Sequence, residues 1–216
     1  MWAAQSSFGR PSFRQTNAMT KPKRSDRGAA LIDLVFACAL AGVIAAIAVP
    51  AVHASRDRDA ARVAARYLAH RLQMVRADAL RRNACVAIRF DPVDIGRFGV
   101  YADADGDGVL QADIDRGIDH VVTNEVRLAD LFASVAFRIP NDVPDPEAAT
   151  TLPANSDPLR LGPSNFLSFS PLGGATSGTL YLSAPTGPQM AIRIMGATGR
   201  MRVLWFDAAS RQWHEE

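Results

Sequence analysis

Three hydrophobic patterns follow one another along the 216-residue chain, and the first is a nearly continuous apolar stretch. From Ala29 to Val52 the only charged side chain is Asp33. As a helix this stretch would be about 36 Å long, enough to cross the roughly 30 Å hydrocarbon core of a bilayer. We therefore predict that residues 29–54 form a transmembrane helix.

The second pattern is amphipathic and runs from Ser55 to Arg82. Its apolar residues recur at helical spacing: Val63, Tyr67, Leu68, Leu72, Met74, Val75 and Ala79. No strong helix breaker separates this segment from the apolar stretch, so we predict one long helix from about Ala29 to Arg82, with residues 55–82 packed on a sheet. Arg58, Arg62 and Arg66 form a basic stripe, interpreted as a solvent-facing or subunit-facing edge.

The third pattern begins after Asn83 and consists of short β-like runs separated by turn residues. The predicted strands are Cys85–Phe90, Arg97–Ala102, His120–Arg127, Val135–Ile139, Phe166–Phe169, Thr179–Ser183, Met190–Met195 and Met201–Phe206. Closely spaced strands predict an antiparallel sheet, and hence an α+β fold with a β-rich body over residues 83–216. Six of the 13 prolines lie in residues 140–163, which predicts a long irregular surface loop.

Charge is unevenly distributed although the net charge is only +2. Residues 1–28 contain six basic side chains and one acidic one, so the remainder carries −3. A basic segment before an apolar helix stays in the cytoplasm, which predicts an N-in topology with the body in the periplasm. Cleavage of a secretory signal before Ser55 is the alternative, but its apolar regions usually run to about 15 residues or fewer.

The border between the basic segment and the apolar helix has a distinctive spacing. Gly28 ends the basic segment, Asp33 is the fifth residue after it, and Gly42 and Pro50 follow within the helix. This pattern resembles the class III signal and N-terminal helix of type IV pilins and type II secretion pseudopilins. The resemblance implies cleavage after Gly28 by a prepilin peptidase, methylation of the new amino terminus at Ala29, and storage in the bacterial inner membrane before assembly.

In this family the acidic residue neutralises an amino terminus in the growing filament, which gives Asp33 an assembly role with other pilin-like subunits. The family usually has Phe where Ala29 stands and Glu where Asp33 stands. The predicted leader comprises residues 1–28. A ten-residue leader would begin at Met19, so residues 1–18 are interpreted as an extension or a mis-assigned start.

The C-terminal part resembles the GspH/FimT family of minor pseudopilins. The landmarks are a Phe-rich strand, a Gly-rich turn, a further strand and a final hairpin that carries Gly199-Arg200. With the leader and the long helix, the resemblance covers residues 19–207. It implies a pilin-like fold and a structural subunit of the periplasmic pseudopilus of type II secretion, or of a type IV pilus, rather than an enzyme.

Two side chains of this hairpin raise an alternative function. Alternate residues of a strand share a face, so Arg200 and Arg202 are expected to project together, with Arg193 beside them on the preceding strand. Grouped guanidinium groups bind phosphates in a salt-dependent manner. Some FimT-like minor pilins capture DNA through a Gly-Arg-x-Arg motif here, so DNA uptake is the alternative function that the resemblance implies.

One acidic loop has the spacing of a calcium ligand set. Asp103, Asp105 and Asp107 alternate with small residues, so one turn can direct several oxygens at a hard cation. The position at which a helix–loop–helix calcium site has a bidentate Glu is occupied by Ile114. A turn stabilised by its own side-chain hydrogen bonds is therefore the alternative to calcium binding.

Common catalytic motifs are missing from the sequence. It contains no G-x-x-x-x-G-K-[ST], no H-E-x-x-H, no C-x-x-C and no G-x-S-x-G. The sequence therefore favours a structural or binding protein over an enzyme.

Overall fold

The computed structural model describes residues 27–162 and 164–216, with burial described from residue 31 onward. The predicted leader therefore lies outside the described residues, apart from the backbone at its last two positions. The predicted processing residues, Gly28 and Ala29, are described by their backbone alone.

A single long helix, α1, spans Arg27–Arg82 and contains Pro50. By its internal contacts the chain divides after Ala46 into two compact units. In the first unit the described apolar side chains are exposed, as they are for Leu31 (63%), Phe36 (70%) and Ile44 (58%). The described residues contain one helix that is long and apolar enough to cross a membrane.

The second unit, Ile47–Glu216, contains the remainder of α1 and the β-rich body. The buried stripe of this part of α1 consists of Ala61, Ala64, Ala65, Leu68, Leu72, Val75 and Ala79. Val63 and Met74 are 52% and 50% exposed, so their predicted position on the buried face is wrong. At about 100° per residue both project away from the stripe, and small alanines fill the positions that face the core.

The body contains twelve strands and two short helices among its described residues. These are β1 Val86–Phe90, β2 Arg97–Ala102, α2 Gln111–Arg116, β3 His120–Arg127, α3 Leu128–Leu131, β4 Ala136–Phe137, β5 Val143–Pro144, β6 Thr151–Leu152, β7 Leu159–Arg160, β8 Phe166–Phe169, β9 Gly178–Ser183, β10 Met190–Met195, β11 Arg200–Asp207 and β12 Gln212–Glu215. Their pairings are all antiparallel, which confirms the predicted α+β class.

The strands form two larger sheets and a small ribbon. The first sheet has the order β3-β2-β1-β8, and the second has the order β12-β11-β10-β9-β4, with β7 also paired to β9. Strands β5 and β6 pair with each other. The buried stripe of α1 shares one hydrophobic core with residues of both sheets, including Ile88, Val100, Leu180 and Ile192. Burial of this shared core is what holds the two sheets and the helix together.

Residues 140–163 are irregular over most of the length that the structure describes, as predicted, but they are not only a surface loop. They contain β5, β6 and β7, and Val143 and Leu152 are buried in a second cluster with Tyr181, Ala191 and Leu204. Val143 and Leu152 lie between the prolines in sequence. They cover the face of the second sheet that is opposite the main core. The described prolines lie at the end of a strand or between strands, and they do not prevent the segment from packing.

The C-terminal strand β12 was not predicted, and it connects the second sheet to α1. Glu216 accepts a hydrogen bond of 2.6 Å from Arg66 and lies 3.6 Å from Arg62. The Arg62 guanidinium also lies 5.7 Å from the ring centroid of Trp205 on β11. Two arginines of the predicted basic stripe therefore hold the end of the chain, although partly exposed ion pairs of this kind contribute only about 0–1 kcal/mol each.

Candidate functional sites

The apolar part of α1 is the first candidate site. Asp33 is exposed there among exposed apolar side chains such as Ile32 (71%) and Leu34 (60%). No ion pair within 4.0 Å joins Asp33 to another side chain that the structure describes. A carboxylate at the centre of a membrane-spanning helix costs on the order of 3 kcal/mol on insertion scales, so a partner that neutralises it would be favoured.

The acidic loop after β2 is the second candidate site. Asp103, which is only 9% exposed, organises the turn, because its Oδ1 accepts hydrogen bonds from the backbone N–H groups of Asp105 (3.2 Å) and Gly106 (2.7 Å). Its Oδ2 accepts a third from Gly108 at 3.0 Å. Gly106 and Gly108 have φ of +94° and +98°, which glycine adopts without the strain of a Cβ.

Two further carboxylates join the three that were predicted from the sequence. Asp103, Asp105 and Asp119 each place a carboxylate oxygen within 4.8 Å of the others, and Asp105, Asp107 and Asp113 form a second such group. Asp113 lies on α2 and Asp119 precedes β3, and both are buried, at 4% and 3% exposure. Sequence reasoning missed them because it did not predict α2, which folds the chain back over the loop.

The neighbouring carboxylates affect the pKa of Asp107. The pKa of Asp107 is raised above its ordinary value, first because its carboxyl group shares a hydrogen bond with Asp105, and then because of desolvation and the nearby charges of Asp105, Asp113 and Asp103. Among the described residues, the one cationic side chain within 4.0 Å of these carboxylates is Arg116, at 3.5 Å from Asp113 Oδ1. The group therefore carries a large excess of negative charge.

Apolar contacts fix the loop to the body. Val109 is buried in a small cluster with Ala87 and Tyr101 on the outer face of the first sheet, and Ile114 packs against the same cluster. Gly117 ends α2 in the left-handed region, at φ 74°, and its N–H bonds back to the helix carbonyls. The carboxylates are thus held on a segment that is itself packed on the sheet.

The arginine hairpin, β10 and β11, is the third candidate site. Arg193 stands directly opposite Arg202, and Arg200 lies on the same face two residues earlier. Arg202 donates hydrogen bonds of 2.8 and 3.2 Å to Glu215 on β12. Both Arg193 and Arg202 have carboxylate partners, whereas exposed Arg200 forms no ion pair within the described part of the chain.

The partner of Arg193 comes from the proline-rich segment. Arg193 donates from Nε to Glu147 Oε1 over 2.6 Å, and its Nη2 donates to Glu147 Oε2. Its side chain is only 19% exposed, and it also lies within hydrogen-bond distance of Thr179 and Ser177. Fork-to-fork pairing of this kind fixes the guanidinium in one orientation.

The glycine that precedes the hairpin arginines has a packing role. Gly199 has φ +60°, and a Cβ added there would lie 2.7 Å from the Gly173 carbonyl oxygen and 2.8 Å from Arg76 Nε on α1. The positive φ explains part of the requirement for glycine, and the close approach to another backbone explains the rest. The glycine of this motif therefore brings the hairpin against the Gly-rich turn and α1.

We expect Gly199→Ala to lower the free energy of unfolding by about 2–3 kcal/mol, because left-handed strain and overpacking add together. The matched control is Gly117→Ala, where φ is +74° but nothing lies within 4 Å of an added Cβ. That variant should lose only about 1 kcal/mol. Denaturant unfolding of both variants measures the difference, and equal losses would show that the close approach at Gly199 carries no cost.

A long helix with an exposed apolar first part leads into an antiparallel body, and this is the architecture that the resemblance to pilin-like subunits implies. Residues 64–199 match the family model described as Type II transport protein GspH. The chain therefore belongs to the GspH family, which confirms the resemblance drawn from the sequence. The members of this family are pseudopilins, which are structural subunits rather than enzymes and assemble with other pseudopilins.

Two solved structures resemble the chain, and both are described as the minor pseudopilin EpsH from the type II secretion system of Vibrio cholerae. One has a TM-score of 0.42 and 16% sequence identity, and the match covers 67% of this chain and 96% of that one. The other has a TM-score of 0.41 and 15% identity, with 68% and 94% covered. No curated protein sequence matches the chain at a significant level.

Proposed function

We propose that the chain is a minor pseudopilin of a bacterial type II secretion system. It is made as an N-in precursor in the inner membrane, cleaved after Gly28, methylated on Ala29, and assembled through its N-terminal helix into the periplasmic pseudopilus. The observation that carries this proposal is an exposed apolar helix with one carboxylate, Asp33, on a chain of the GspH family.

The exposure of the helix supports assembly from a membrane store. Side chains such as Val35 (68%) and Ile47 (70%) remain in contact with solvent in the isolated chain, which is unfavourable unless lipid or other subunits cover them. Membrane embedding covers this surface before assembly, and neighbouring helices cover it afterwards. The same helix therefore serves as anchor and as polymerisation surface.

The arginine hairpin gives less support to the alternative, capture of DNA. Phosphate binding by Arg193 and Arg202 would have to displace Glu147 and Glu215. Of the three hairpin arginines, Arg200 alone is without an ion pair to a described residue. Displacing two carboxylates lowers the net gain from phosphate contacts. The geometry thus favours the structural role, and neither DNA binding nor service in a type IV pilus is supported by a specific contact.

The first test of the proposal is the mature N-terminus of the protein recovered from bacterial inner membranes, measured by mass spectrometry. We expect a chain that begins at N-methylated Ala29. Gly28→Val should keep the leader, because a bulky side chain at the cleaved bond blocks peptidase access. Gly42→Val is the matched control within the same helix, since nothing lies within 4 Å of a Cβ added there, and it should be cleaved like the native chain.

Two other termini would contradict the proposal. A start at Ser55 would mean a cleaved secretory signal and a body released from the membrane. An uncut start at Met1 or Met19 would mean a simple membrane anchor. The machine is tested separately by crosslinking in cells, where crosslinks to secretion pseudopilins are expected and crosslinks to type IV pilins alone would assign the subunit to a pilus.

A further inference from the structure

One buried carboxylate in the second unit lacks a partner on one of its oxygens. Asp119 is 3% exposed, and its Oδ2 accepts a hydrogen bond of 3.0 Å from the backbone N–H of Leu110. Its Oδ1 is buried and has no hydrogen-bond partner among the described residues. A buried charged oxygen without a partner is costly, and proteins compensate such groups by pairing, by protonation or by metal coordination.

The surroundings of Asp119 favour metal coordination. A carboxylate oxygen of Asp119 lies within 4.8 Å of ligand oxygens of Asp103 and Asp105, so the neighbours of the buried group are themselves acidic. No arginine, lysine or histidine of the described chain forms an ion pair with any of these three residues. Three carboxylates at this spacing can be satisfied together by one cation at their centre.

We propose that Asp103, Asp105 and Asp119 bind a calcium ion that ties the loop after β2 to the start of β3. The site differs from the one expected from sequence spacing, because Asp119 takes part in it, sixteen positions after Asp103. Asp107 and Asp113 belong to the adjacent group that shares Asp105 and add negative charge beside the ion. The two groups meet at one exposed residue, Asp105.

The ligand chemistry selects calcium over magnesium. Calcium accepts six to eight oxygens at about 2.3–2.6 Å in irregular geometry, and it takes several carboxylates directly. Magnesium requires a nearly ideal octahedron and keeps most of its water. Carboxylates brought together from a turn and from a distant strand end provide an irregular oxygen set, and sites of this kind in extracellular modules bind calcium at about 10⁻⁴–10⁻³ M.

The position of the site indicates its effect on the protein. Asp103 and Asp119 flank the segment that contains α2, and Val109 and Ile114 of this segment pack on the first sheet. An ion that joins Asp103 to Asp119 closes this segment at its base. Calcium is therefore expected to stabilise the folded body, since a ligand that binds only the folded state raises stability with its concentration.

The experiment uses the full chain in detergent micelles, stripped of metal with a chelator. Calcium chloride is titrated while the Tm is followed by circular dichroism, and binding is measured by isothermal titration calorimetry. We expect a saturable rise in Tm with a Kd near 10⁻⁴–10⁻³ M and a smaller rise with magnesium at equal concentration. Absence of calorimetric binding, or an equal rise with magnesium, would overturn the proposal.

Variants test the ligand set. Asp119→Asn and Asp105→Asn should each weaken calcium binding at least about tenfold, because each loses a charged ligand. Asp105 is exposed, so native-like calcium binding by its variant would overturn the proposal even where the buried Asp119 variant is unstable. The matched control is Asp115→Asn, an exposed aspartate outside both groups that bonds to Gln111, and it should bind calcium like the native chain.

The outcomes separate the two ligand sets. Native-like binding by folded Asp119→Asn would overturn the proposal and leave only the turn residues as ligands. Equal weakening by Asp115→Asn would show that calcium responds to general negative charge, which also overturns it. All these measurements are independent of processing and assembly, so a failure of the proposed pseudopilin function would leave them unchanged.

Discussion

Replacing Gly178 by alanine is expected to lower the free energy of unfolding by about 3 kcal/mol, at the upper end of the range for overpacked cores. A Cβ at this position would clash with the Arg160 carbonyl oxygen and would lie 2.9 Å from Leu161 Cδ2. Strand β9 cannot shift away easily, because it pairs with β10 on one side and with β7 and β4 on the other. The clash is therefore expected to push β7 off the sheet.

The matched control for this prediction is Gly174→Ala. There the added Cβ would make ordinary contacts, 3.4 Å from Ser170 Oγ and 3.5 Å from the Gly196 carbonyl oxygen, so the loss should stay below about 1 kcal/mol. Denaturant unfolding of the full chain in micelles gives both values. A native-like Gly178→Ala variant would show that β7 is not held against β9 in solution.

The long helix and the longer strands could be predicted, because each follows from a pattern of apolar residues that repeats along its own segment. The end of α1 at Arg82, and strands such as β2 and β10, were predicted with the bounds that the structure shows. The buried face of α1 was predicted less well. Alanine carries little hydrophobic signal, so Ala61 and Ala65 were overlooked and the larger Val63 was wrongly placed on the core side.

Features that depend on distant parts of the chain could not be predicted in the same way. Strand β7 has only two residues, and it forms because its backbone pairs with β9. Asp119 joins the acidic loop only because α2 turns the chain back. This helix has six residues, which is too short for a helical pattern of apolar residues to be recognised in the sequence. Likewise, Glu147 and Arg193 are far apart in sequence, so the pairing of that arginine is visible only in the folded body.

The second large effect is expected at Asp33 on the exposed apolar helix. Asp33→Ala should reduce incorporation into the pseudopilus at least about tenfold, which corresponds to about 1.4 kcal/mol per subunit. In the membrane the carboxylate opposes burial in lipid, with an upper limit of about 3 kcal/mol that applies at the helix centre, and pairing with an amino terminus in the filament would remove that penalty. Without the charge, the free-energy difference of this side chain between the membrane and the filament is lost, and assembly becomes less favourable.

The direction of this effect separates assembly from membrane insertion. Asp33→Ala removes a charge from an apolar helix, so insertion should improve, and a loss of incorporation cannot be attributed to a poorly inserted precursor. Asp33→Glu keeps the charge and should incorporate like the native chain, while Asp59→Ala, an exposed aspartate further along α1, is the matched control. Crosslinking to neighbouring pseudopilins in cells measures incorporation, and native-level crosslinking of Asp33→Ala would show that the carboxylate does not drive assembly. Assembly of Asp33→Glu together with failure of Asp33→Ala would show that the negative charge at this position, rather than the shape of the side chain, directs the subunit into the filament.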